Sequence, residues 1–77
     1  MTSDEIYKVM WDNMHKNVRV KFTDGEVIEG NVRNIENPGD NDDIPGCEGQ
    51  TVYYVEIDRA HGAMFPESDV DTVEAID

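Results

Sequence analysis

One cysteine, six basic side chains and no long apolar run set the first limits on this 77-residue chain. With Cys47 alone, an internal disulfide and any multi-cysteine zinc site are excluded, and a reducing compartment is the natural setting. No Lys, Arg or His lies near Cys47 in sequence to lower its pKa, so it reads as an ordinary surface-loop thiol. No apolar stretch has the length a bilayer crossing needs. The opening Met1-Thr2-Ser3-Asp4-Glu5 is polar and acidic, without the basic and apolar parts of a secretory signal. A cytoplasmic protein with no membrane partner is the expectation. His15 and His61 stand apart, with no Cys or second His at ligand spacing, so no zinc site is expected and no other cofactor is implied. Repeats and linkers are absent. A chain of this length makes one domain, residues 1–77, too small to enclose a deep active site.

The scarcity of cations is also uneven. Residues 1–39 carry five bases against seven acids, a balance of −2, whereas residues 40–77 set Arg59 alone against eleven acids, a balance of −10. The whole chain stands at −12. Nucleic-acid affinity rests largely on Lys and Arg contacts with phosphates, and a surface of this sign repels them unless a local patch overrides the total. Arg19, Lys21 and Arg33, on the outward faces of the first two strands, are the candidates for such a patch. The plainer reading makes them solvated strand residues that pair across to Glu26 and Glu29.

What is present is a strong β pattern. Val18, Val20 and Phe22 alternate with Arg19 and Lys21, Asp24-Gly25 offers the positive φ angles of a tight two-residue hairpin, and Val27-Ile28-Glu29-Gly30-Asn31-Val32 returns. Before it, residues 1–17 read as a helix. Thr2 and Glu5 have capping-box spacing, Ile6, Met10 and Met14 form a stripe flanked by Tyr7 and Trp11, His15 and Lys16 suit the negative end of the dipole, and Asn17 is the stop. That stripe is expected to cover an open end of the β structure.

Behind the second strand, Asn34 begins a long acidic loop centred on residues 36–50, with Pro38-Gly39 and Pro45-Gly46 turns around Asp40-Asn41-Asp42-Asp43. A third strand follows over 51–58, with Tyr53, Val55 and Ile57 on one face. Ala63-Met64-Phe65 makes a short fourth strand stopped by Pro66, and a fifth lies around 72–76. The expected fold is mainly β: the helix, then a five-stranded antiparallel barrel over 18–77, with Gly30 at the sharp bend of the second strand and Val20, Phe22, Ile28, Val32, Val55 and Ile57 in the core.

The helix followed by Val18-Arg19-Val20-Lys21-Phe22-Thr23-Asp24-Gly25-Glu26-Val27-Ile28-Glu29-Gly30-Asn31-Val32 resembles the first motif of Sm-like (LSm) proteins. Tyr54-Val55-Glu56-Ile57, Gly62-Ala63-Met64-Phe65 and residues 67–76 resemble the closing half of a compact group of these proteins in Firmicutes bacteria. The resemblance implies RNA binding in rings, with an Asp and an Asn after the second strand reading the base and an Arg-Gly pair between the last two strands. Here Asp40 and Asn41 stand in a long acidic loop, and no Arg-Gly pair lies between Phe65 and Val73. The segment 69–77, which in the family would pair with a neighbour, carries Asp69, Asp71, Glu74 and Asp77, and charged edges discourage such pairing.

No residue set forms a catalytic signature. Asp40, Asn41, Asp42 and Asp43 offer oxygen ligands for a cation, yet an EF-hand loop needs Gly where Pro45 stands. Glu67 and Asp69 could serve as acid and base only if buried together. The expectation is a noncatalytic module for protein-protein interaction, with an acidic surface suited to a basic protein partner. Asp40, Asn41, Asp42, Asp43, Arg19, Lys21 and Arg33 are its candidate binding residues. The alternative is RNA binding as an Sm-like oligomer, and a third reading is mimicry of nucleic acid by the acidic half.

Overall fold

The computed structural model describes residues 1–39, 49–58 and 61–76. Thr2 opens the fold as an N-cap. Its hydroxyl accepts from the Glu5 backbone N–H at 3.2 Å, and the Glu5 carboxylate accepts from the Thr2 N–H at 2.9 Å. The hydrogen bonds from Thr2 hold the Glu5 carboxyl below its ordinary range. Helix α1, Ser3–Asp12, follows and buries Ile6 and Met10, with Tyr7 and Val9 packed partly against the same core. It lies against strands from both halves of the chain.

The helix is shorter than the expected 1–17. Asn13 ends it: its Nδ2 donates to Val9 O at 2.8 Å, and two residues later His15 takes a left-handed φ of 66°. His15 and Lys16 therefore lie beyond the helix instead of in its last turn. The reversal is fastened at once, since His15 N–H donates to Val32 O at 2.8 Å and Val32 N–H donates to Lys16 O at 3.1 Å. Met14 still reaches the core, from a bridge to Val32 instead of from the helix.

Strand β1, Asn17–Phe22, and strand β2, Val27–Glu36, form the expected antiparallel hairpin, with Val18 opposite Gly30 and Val20 opposite Ile28. The connection is a three-residue loop, Thr23-Asp24-Gly25, instead of a two-residue turn. Phe22 N–H donates to Glu26 O, Gly25 N–H donates to Phe22 O, and Gly25 alone in the loop has a positive φ, at 93°. Asp24 Oδ1 accepts from Glu26 N–H at 2.9 Å, so the aspartate serves by side-chain hydrogen bonding without adopting the left-handed conformation.

β2 also runs past the point where a loop was expected, with Asn34, Ile35 and Glu36 paired to strand β3, Val52–Glu56. The register shifts at Arg33, a bulge that leaves Val32 and Ile35 both buried although they are three residues apart. β3 pairs on its other side with β4, Gly62–Pro66. A 3-10 turn, Glu67–Asp69, then leads to β5, Val70–Ala75, which returns to pair with β1.

The sheet has the order β4-β3-β2-β1-β5 and is not closed into a barrel. The expected closure is absent because β4 and β5 are the two opposite edges, and the turn between them spends its hydrogen bonds elsewhere. Glu67 N–H donates to Thr51 O at 2.8 Å, while Asp69 O accepts from Thr23 N–H at 3.0 Å. One end of each half is tied to the turn without the edges meeting.

Val20, Val32 and Val55 are buried as expected, and Phe22 and Ile28 pack partly against the core, with the Phe22 ring edge-on to Phe65 at 4.9 Å. Ile57 is not core. It is 45% exposed, because β3 ends at Glu56 and the Ile57 N–H is already committed to His61 O in the connection to β4. Gly30 stands where the end of β3 crosses closely over β2. A Cβ there would fall 2.9 Å from the Glu56 carbonyl carbon and from Ile57 Cα, and closer still to the Glu56 oxygen.

Candidate functional site

Strand alternation sends Arg19, Glu29 and Glu74 to the outward face of neighbouring strands, and the register sets Arg19 opposite both acids. Arg19 uses both. Its Nε donates to Glu29 Oε2 and its Nη1 to Glu74 Oε1, each at 2.6 Å, so one guanidinium joins β2, β1 and β5. The Glu29 carboxylate, followed by that of Glu74, holds the guanidinium above its already high ordinary value. Both bridges are half-exposed and screened by solvent, so they contribute little to stability. Their larger effect is on the surface potential, where two carboxylates outweigh the one cation.

Arg33 occupies the bulge of β2, and its Nε donates to Glu56 Oε2 on β3 at 2.5 Å. Lys21 lies on the same face as Arg19, between Val27 and Thr72, and has no ion pair among the described residues. The three candidate cations thus do not make one basic patch: two of them are neutralised in place. Glu29 is a partner as expected. Glu26 is not, since its backbone caps the hairpin loop and the ion pairs go to Glu74 and Glu56 instead. Asp40, Asn41, Asp42 and Asp43 lie outside the described residues, as do Cys47 and Arg59.

Around Arg33 the surface sinks into an open depression of about 420 Å³ lined by Asn17, Gly30, Asn31, Glu56, Ile57 and Asp58. Asn31 is a structural residue there that alternation alone did not single out. Its Nδ2 donates to His15 O at 2.9 Å, which steadies the left-handed residue, while its Oδ1 is buried without a hydrogen-bond partner among the described residues.

Glu67 and Asp69 do not come together as an acid and base pair. Glu67 Oε1 accepts from the hydroxyl of the fully buried Tyr53 at 2.8 Å and lines a depression with Tyr7, Asn37 and Thr51, whereas Asp69 lines another with Phe22, Asp24 and Glu26. Burial, followed by the Glu67 hydrogen bond, pushes the Tyr53 phenol well above its ordinary value. Alternation set Tyr53 on one face with the buried Val55, although the expected core did not include it. Its partner was not announced, because Glu67 reaches it from the 3-10 turn, across the β3 and β4 hairpin.

Among the described residues, no group of three or more His, Cys, Asp or Glu side chains is placed to hold a metal ion, and no helix is long and apolar enough to cross a membrane. Compared with protein-family models, with curated proteins and with solved structures, the chain matches none.

Proposed function

We propose that this chain is a noncatalytic interaction module, a small β-fold of Sm-like or SH3-like type whose acidic surface binds a basic protein partner. The observation that carries the reading is the neutralisation of Arg19 by Glu29 and Glu74 and of Arg33 by Glu56, which removes the local basic patch from a chain of net charge −12. A phosphate backbone approaching this face must displace carboxylates already seated on the arginines, while a cationic protein surface is drawn by the net negative charge of the whole chain.

The RNA-binding alternative draws on a different observation. The strand order leaves β4 and β5 as two unjoined edges, the arrangement an oligomer of strand-paired copies requires.

Titration with single-stranded RNA at physiological salt separates the two readings, alongside affinity capture from the host with RNA and protein both analysed. The module reading expects no measurable RNA binding and a captured protein whose association quickens as salt is lowered. Micromolar or tighter RNA binding that is lost when Arg19, Lys21 and Arg33 are changed to Ala overturns it in favour of the oligomer.

A further inference from the structure

The two edges of the sheet differ. At β5 two of the outward groups are already engaged: Asp71 O accepts from the Met1 amine and Val73 N–H meets Met1 Sδ, both at 3.4 Å, and the strand carries Asp71 and Glu74. At β4 they are open. Ile57 N–H bonds to His61 O and Glu67 N–H to Thr51 O, which fixes the phase of the ladder between them. Tyr53 with Phe65 and Val55 with Ala63 are then the hydrogen-bonded pairs, and Gly62, Met64 and Pro66 turn their main-chain groups away from β3. Gly62 and Met64 each present an N–H and a C=O, with no partner among the described residues.

This edge is only partly protected, by Pro66 at its end. The strand reads Gly62-Ala63-Met64-Phe65-Pro66, without a charge, and Met64 is 51% exposed. Beside it stands Tyr54, the cross-strand neighbour of Met64, whose ring lies against Gly62 so closely that a Cβ there would fall 2.5 Å from Tyr54 Cζ. The result is an apolar shelf next to a row of unpaired backbone groups. Carboxylates flank it, Asp58 before the strand and Glu67 and Asp69 after it. A second copy of the chain would bring another −12 to this edge, so charge favours a cationic occupant.

We propose that β4 is a docking edge at which an extended, lysine- or arginine-bearing segment of a partner protein adds as a further strand, hydrogen-bonded to the main chain of Gly62 and Met64. This rests on the reading of the chain as an acidic interaction module and names where and how the partner binds.

The test uses the full chain and, as probe, a short synthetic peptide of alternating lysine and valine, with an alternating glutamate and valine peptide as control. Amide exchange followed by NMR should show the Gly62 and Met64 amides gaining about tenfold or more protection on binding of the basic peptide and none with the acidic one. The variant Met64→Pro removes an N–H that points away from β3, so the ladder is kept, and it should melt like the parent yet bind the basic peptide about tenfold or more weakly. Binding that leaves the two amides unprotected and is indifferent to Met64→Pro overturns the docking edge while the acidic-module reading stands. Absence of any binding by the basic peptide overturns both. A multimer of the chain alone that Met64→Pro dissociates gives the edge to a second copy and overturns the proposal.

Discussion

Tyr53 is the residue at which burial and charge are most sharply opposed. Its ring is in the core and its hydroxyl donates to a carboxylate, so the folded protein holds the phenolic proton well above the pH at which a free tyrosine releases it. The sign follows directly. The unfolded chain loses this proton above about pH 10 while the fold retains it, so the contribution of Tyr53 to stability is complete below that pH and drains away as pH rises past it. Denaturation midpoints measured on both sides of pH 10 should fall on the alkaline side for the parent and fall less for Tyr53→Phe. At neutral pH the same variant should lose roughly 1 kcal/mol, the worth of one hydrogen bond. Equal alkaline loss in both proteins would place the titrating group elsewhere.

At the scale of elements, Gly30 gives the sharpest prediction. Valine has the better strand propensity, but here its Cβ would meet the backbone of Glu56 and Ile57, which cannot swing aside as a side chain can. Gly30→Val should therefore lower stability by about 2 kcal/mol or more, as overpacking does, read as a lower midpoint in urea, and a neutral result would mean β3 yields at its end. The hairpin that contains Gly30 was legible in the sequence because β1 alternates strictly and is followed by a turn with Asp and Gly. The continuation of β2 was not, because the bulge at Arg33 moves the buried phase from Val32 to Ile35 and breaks the period-two signal. The end of α1 was hidden for a related reason: Met14 keeps the apolar spacing of a helix although the chain has already reversed around His15. In the candidate site, Arg19 and Glu29 could be paired from the local register. Glu74 and Glu56 could not, since both reach their arginines through pairings distant in the chain.

For the whole molecule, charge decides more than any single contact. The ion pairs of Lys8, Arg19 and Arg33 are mostly exposed and individually weak, whereas eighteen acids against six bases repel one another throughout. Salt screens both, and the repulsion is the larger sum. The melting temperature should rise as sodium chloride is raised from a few millimolar to physiological strength, where the screening length is about 8 Å. A fall over that range would mean that the bridges, Arg19 with its two carboxylates foremost, outweigh the net charge.

The strand order carries one more consequence. The first half of the chain contributes β1 and β2 to the middle of the sheet, and the second half sends β3 and β4 to one side of that pair and β5 to the other. The later residues thus clasp the earlier hairpin from both flanks. Neither half owns a sheet large enough to persist in water: the first has two strands and a helix that lies more against β5 than against β2, and the second has a hairpin and a strand that are not hydrogen-bonded to each other. A cut anywhere between residues 39 and 49 would therefore leave two pieces that are each unstructured alone and interlocked together, so the native state of this protein belongs to the halves jointly and to neither of them separately.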